Sequence, residues 1–103
     1  MDYRQQDLRS LAFHIAIANK LRKDPELLSV AFENMSRWKK LGYGRSTWPL
    51  YEKWEELMRG PFNVLLEKMT EDSDLMQQLR QATPFAGILT NQERNNVIEQ
   101  SRA

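Results

Sequence analysis

The chain has no cysteine and one histidine among its 103 residues. Without thiols there is no disulfide framework, no thiolate nucleophile and no zinc ribbon. One imidazole is too few for the usual multi-histidine metal sites. No metal, cofactor or catalytic residue is therefore expected. Charge of one sign is also missing, because 15 Lys and Arg stand against 14 Asp and Glu, for a formal net charge of +1. Affinity for phosphate backbones comes chiefly from clustered cations, so this balance argues against a dedicated nucleic-acid binder while leaving room for a local basic patch. Long apolar runs are absent too. None approaches the roughly 20 residues that span a bilayer, so no membrane partner is expected. The opening residues Met1 to Asp7 are polar and mixed in charge, unlike a secretory signal, which makes the cytoplasm the expected compartment. Glycine-rich phosphate loops, metal-ligand helix motifs and nucleophile elbows are all missing. No stretch of four or more residues alternates with period two, so no sheet is predicted.

What is present is helical periodicity. Hydrophobic residues make up 41% of the chain and charged residues 28%, enough for one core and a wet surface. A chain of this length forms one domain, 1–103, with residues 1–4 and 100–103 expected to fray. Leu8 to Leu21 is the stretch around which the rest is organised. On a helix, Leu8, Leu11, Ala12, Ile15 and Ala18 make one apolar stripe, and Phe13, Ile17 and Leu21 make a second on nearly the opposite side. A helix apolar on two faces must be covered on two faces. The segments that follow are apolar on one face each and suffice to cover both stripes, so complete burial of this helix is expected. If one stripe is left free as an interface, it is Phe13, Ile17 and Leu21, which fewer residues define.

Asp24-Pro25-Glu26 starts a second helix, capped by Asp24 and running to about Lys40, with Leu27, Leu28, Ala31, Met35 and Trp38 inward. Gly42-Tyr43-Gly44 breaks the pattern. A third helix follows Ser46-Thr47 with Leu50, Trp54, Leu57 and Met58 as its core stripe. Gly60-Pro61 opens a fourth that carries Phe62, Leu65, Leu66 and Met69. Ser73 caps a fifth with Leu75, Met76 and Leu79 inward. Pro84 to Leu89 is a compact apolar connector, either a lid on the core or an interface. Thr90 and Glu93 form a capping box for a last helix with only Val97 and Ile98 inward. The predicted fold is all-α, a single compact domain of five to six helices around the N-terminal one.

His14 lies between the two stripes and reads as a structural imidazole, because a catalytic one would need an orienting carboxylate and a nucleophile. The acidic groups Glu52/Glu55/Glu56 and Glu71/Asp72/Asp74 read as a solvated helix face and a helix start. Arg37, Lys39, Lys40 and Arg45 cluster around the end of the second helix with Trp38, Tyr43 and Trp48 interleaved, a composition compatible with single-stranded nucleic acid or with capping of a helix carboxyl end.

Ser29-Val30-Ala31-Phe32-Glu33-Asn34 places a hydroxyl, a glutamate and an asparagine in the order Ser/Thr, three residues, Glu, Gly/Asn. It resembles the inhibitory-helix motif of antitoxins that silence Fic-type AMP-transferases. That resemblance implies a glutamate, here Glu33, that pairs with an arginine of the enzyme's anion-binding loop and obstructs ATP binding. The alternative is an ordinary Glu33–Arg37 pair one turn apart. A broader resemblance spans roughly Leu8 to Ile98. It is carried by Leu11–Leu21 with Asp24 to Leu28, by Asn34 to Trp38, by Trp54 to Met58 with Gly60-Pro61, and above all by Pro84-Phe85-Ala86-Gly87-Ile88-Leu89-Thr90 with Glu93 and Arg94. These segments resemble a group of small bacterial helical proteins encoded as antitoxin-like partners of toxin enzymes. What this implies is a non-catalytic inhibitor that masks the active site of a partner toxin. The broad resemblance names no toxin class by itself; a Fic-type enzyme, to which the Ser29/Glu33 motif points, and a nucleotidyltransferase-like one are the candidates. The inhibitor's expected contacts are Ser29, Glu33, Asn34, Pro84, Phe85, Gly87, Thr90 and Glu93. The alternative function is a nucleic-acid-binding regulator, autoregulatory if it acts on its own promoter, working through Arg37, Lys40 and Arg45.

Overall fold

A computed structural model describes residues 5–42 and 46–101 of the chain. Among them are six α-helices and one turn of 3-10 helix, with no strand. The helices are α1 (Gln5–Lys23), α2 (Leu28–Leu41), α3 (Trp48–Arg59), α4 (Phe62–Met69), α5 (Asp74–Gln81) and α6 (Asn91–Ser101), and Pro25–Leu27 forms the 3-10 turn. The fold is an all-α single domain, as the periodicity predicts.

Local chemistry sets most of the helix ends. Ser73 is the N-cap of α5, its hydroxyl accepting the Met76 N–H at 3.2 Å. Thr90 and Glu93 close their capping box at 3.1 and 2.7 Å. Pro49 occupies the first turn of α3, where its missing N–H costs nothing. Gly42 ends α2 in the left-handed region (φ 77°), a conformation in which a Cβ would crowd the following carbonyl. Asp24 departs from expectation. It makes no side-chain cap, and the chain instead tightens into the Pro25–Leu27 turn before α2 begins at Leu28. At the carboxyl end, α6 runs to Ser101; residues 1–4, 102 and 103 lie outside the described residues.

The core assembles around Trp54 of α3, which is completely buried. Its indole N–H donates to the Leu79 carbonyl of α5 at 2.7 Å. The His14 ring of α1 stacks on it with planes 11° apart, and Phe85 meets it edge-on. Three helices and the connector therefore meet at one side chain. Met58, Leu65, Met69, Met76 and Leu79 fill the space around it, with Ala18 and Leu21 from α1.

α1 is the central helix, packed against α4, α5, α6 and the 3-10 turn, but its two stripes are used in the opposite sense to that expected. Ile17 and Leu21 are core residues and Phe13 is half-buried, so this stripe is not an interface. Leu8 and Ile15 of the other stripe are 52% and 44% exposed, which also rules out complete burial of the helix. The cause is the connector. It runs along the Phe13/Ile17 side and is bonded there to His14 and Lys20, leaving the Leu8/Ile15 line uncovered. α5 shows a similar departure. Leu75 points outward at 52% exposure while Arg80 is buried, its Nη1 donating to the carbonyls of Met69 and Glu71 at 3.0 Å each. The guanidinium thus satisfies the Met69 carbonyl at the negative end of α4 and shares the Glu71 carbonyl with the Ser73 N–H.

Candidate functional site

The connector 82–90 is held from three directions. Asn34 of α2 is buried, and its amide nitrogen donates to the carbonyls of Pro84 (3.0 Å) and Ala86 (2.8 Å). Lys20 of α1 donates to the Ile88 carbonyl at 2.8 Å and to Glu93 at 2.6 Å. Glu93 is thereby held, mainly by Lys20 and then by the Thr90 N–H, to a carboxyl pKa of about 2. Gly87 sits at φ 90°, the left-handed turn that lets the chain reverse over α2. These bonds make the connector a packed lid. Pro84, Phe85, Ile88 and Leu89 are buried beneath it.

The third anchor is His14, which is 2% exposed. Its Nδ1 lies 2.7 Å from the Ser10 carbonyl, an acceptor only, so Nδ1 carries the hydrogen. Nε2 of the neutral ring then accepts the Thr83 hydroxyl hydrogen at 2.9 Å, and Thr83 Oγ1 accepts the Phe85 N–H at 3.2 Å. Burial, reinforced by the Arg80 charge and opposed by the Ser10 bond, lowers the imidazole pKa to about 4. Both ring nitrogens are spent on structure, as the sequence reading expects.

Several expected contact residues fall inside this lid and leave the docking surface. Asn34, Pro84 and Phe85 are core groups, because the connector can bury its apolar side chains only if a polar side chain satisfies its carbonyls. Gly87 and Thr90 are exposed, and Glu93 is half-exposed but already bonded. Asn34→Ala is expected to lower stability by about 2 kcal/mol, since it strands two connector carbonyls. Chemical denaturation measures this loss, and a cost below about 0.5 kcal/mol would show the lid to be held without that bracket.

Ser29 and Glu33 lie together on the exposed side of α2. The Glu33–Arg37 pair does not form. Arg37 instead donates to the Asn34 Oδ1 at 2.8 Å, and Glu33 has no ion pair among the described residues. Of the basic patch, Arg37 and Lys40 are exposed while Arg45 lies outside the described residues. Of the neighbouring aromatics, Trp38 and Trp48 both pack on Tyr51 and Lys39 lies 5.6 Å over Trp48, while Tyr43 lies outside the described residues. Among the described residues no group of three imidazole or carboxylate side chains converges as a metal site would require, and no helix is long and apolar enough to cross a membrane.

The surface that stands out is the outer line of α1. Leu8, Ala12 and Ile15 succeed one another along it and, with Ala16 and with Val97 of α6, line a groove of about 480 Å³. Sequence reasoning identified the residues but assigned the free face to the other stripe. Leu8 and Ile15 are the signal that was legible; which side the connector would take was not. Comparison of the chain with family models, with curated proteins and with solved structures returns no match.

Proposed function

We propose that the chain is a non-catalytic protein-interaction module, an antitoxin-like inhibitor that binds a partner toxin enzyme and masks its active site. The exposed Leu8/Ile15 line of α1 carries this reading. Each half-exposed aliphatic side chain forgoes about 1 kcal/mol of burial free energy, on a helix whose opposite side is filled with core contacts. Leu8, Ala12 and Ile15 stand at i, i+4 and i+7, the register in which a helix lays anchors into a partner's groove. His14, the one imidazole, is committed to the lid, which leaves no general base of that type at the surface. In the Fic-type form of the proposal, Glu33 supplies the carboxylate that meets the enzyme's arginine, and Ser29 stands one turn before it. A nucleotidyltransferase-like toxin is the other partner class.

Co-expression with the product of the adjacent open reading frame tests the proposal. The two chains are expected to co-purify and the chain to restore growth. The double substitution Leu8→Asp and Ile15→Asp is expected to weaken the complex by about a hundredfold or more, with helix content unchanged. Rescue that survives this double substitution would remove the α1 face from the interface. Absence of rescue by the unaltered chain, together with salt-dependent DNA binding lost on replacing Arg37, Lys40 and Arg45, would favour the regulator instead. Loss of inhibition in Glu33→Ala singles out the Fic-type form.

A further inference from the structure

A second depression lies on the opposite flank of α1, where the connector and α6 come together. It has a volume of about 310 Å³, at the small end of the range for ligand pockets. Its walls are Phe13, Ile17, Phe85 and Ala86, and two guanidiniums, Arg9 and Arg94, stand among its lining residues with no acidic side chain. Neither arginine has a carboxylate partner among the described residues. The nearby acids are engaged elsewhere: Glu93 is held by Lys20 and the Thr90 N–H, and Asp7 accepts from Gln81 at 2.9 Å. Arg94 lies 4.8 Å over the Phe13 ring, which orients the guanidinium plane while leaving its N–H edge available. The floor is closed, because the His14 and Thr83 polar atoms are bonded to each other.

We infer that this depression binds a small organic carboxylate, its apolar body against Ile17 and Ala86 and its carboxylate between Arg9 and Arg94. Two guanidiniums that have no carboxylate partner among the described residues line one apolar wall, and their positive potential favours a planar anion there. A cavity of this size holds one ring system or a short acyl chain, so the ligand class is a monocarboxylate of that bulk. The site shares Arg9 with the groove along the α1 outer line but none of that groove's apolar residues, and it does not rest on the partner reading.

The probe is 2-naphthoate, titrated into the full chain by calorimetry and by amide chemical shifts, with naphthalene-2-carboxamide as its uncharged counterpart. Saturable one-to-one binding is expected, with the largest shifts at Phe13, Ala86 and Arg94. The carboxamide is expected to bind at least about tenfold more weakly, and the double substitution Arg9→Gln and Arg94→Gln to lower naphthoate affinity by at least about tenfold. Ala86→Trp, at an exposed wall position, is expected to block binding and serves as a second test should the arginine variant fold poorly. Equal affinity for the two probes, unchanged affinity in both variants, or no saturable binding would each overturn the assignment.

Discussion

Trp54→Ala is expected to cost about 4 kcal/mol, a large share of the roughly 5–15 kcal/mol that stabilises a domain of this size. The side chain is fully buried and touches α1, α5 and the connector at once, through His14, the Leu79 carbonyl and Phe85. Truncation removes its burial, opens a cavity and leaves the Leu79 carbonyl with one partner fewer near the end of α5. Trp54→Phe separates these contributions, because it keeps much of the volume and the edge-on contact with Phe85 but loses the N–H donor. Its expected cost is about 2 kcal/mol. Equilibrium unfolding in urea reads both values. If Trp54→Ala unfolds with a midpoint close to that of the unaltered chain, the centre of the core lies elsewhere.

The features that could be read from the sequence are those whose causes lie within a turn or two. The helix through Leu8–Leu21, the Ser73 cap and the Thr90–Glu93 box all depend on neighbours three or four positions away. The inward faces of α3 and α4 were legible for the same reason, since each carries one apolar stripe. α1 carries two, and periodicity cannot rank them. The choice is made by bonds that span most of the chain: His14 to Thr83 across 69 residues, Lys20 to Glu93 across 73 and Asn34 to Ala86 across 52. Each polar partner was visible as a residue, but nothing in its surroundings marked it as an anchor for a loop so distant. Arg80 illustrates the same limit. It follows Leu79 on the buried side of a short amphipathic helix, where a sequence reading assigns an arginine to water. Its burial follows from the carbonyls of Met69 and Glu71, which only the turn after α4 brings within reach.

The lid should respond to acid before the carboxylates do. In the unfolded chain an imidazole titrates near 6.5, and in the folded chain His14 titrates near 4, chiefly because burial penalises its charged form. Above pH 6.5 the ring is neutral in both states and its titration changes nothing. Between 6.5 and about 4 the unfolded chain takes up a proton that the folded chain refuses, so stability falls as pH falls. Below about 4 both states are charged and the loss is complete, at about 3 kcal/mol. Protonation also breaks the hydrogen-bond order of the lid. Nε2 becomes a donor towards Thr83 Oγ1, which already accepts the Phe85 N–H, and the threonine hydroxyl hydrogen must find another acceptor. Glu93 acts in the same direction but in a lower window. Its folded pKa of about 2 lies below the ordinary 4.5, so its contribution is present above 4.5 and is lost as pH falls towards 2. Urea unfolding at intervals from pH 7.5 to 4.5 is therefore expected to show a decline that precedes carboxylate titration. His14→Gln, whatever its cost at neutral pH, is expected to flatten that decline, because the titrating group is gone. A profile that is level from pH 7 to 5 in the unaltered chain, or equally steep in His14→Gln, would show that the imidazole is not the acid-sensitive anchor of the connector.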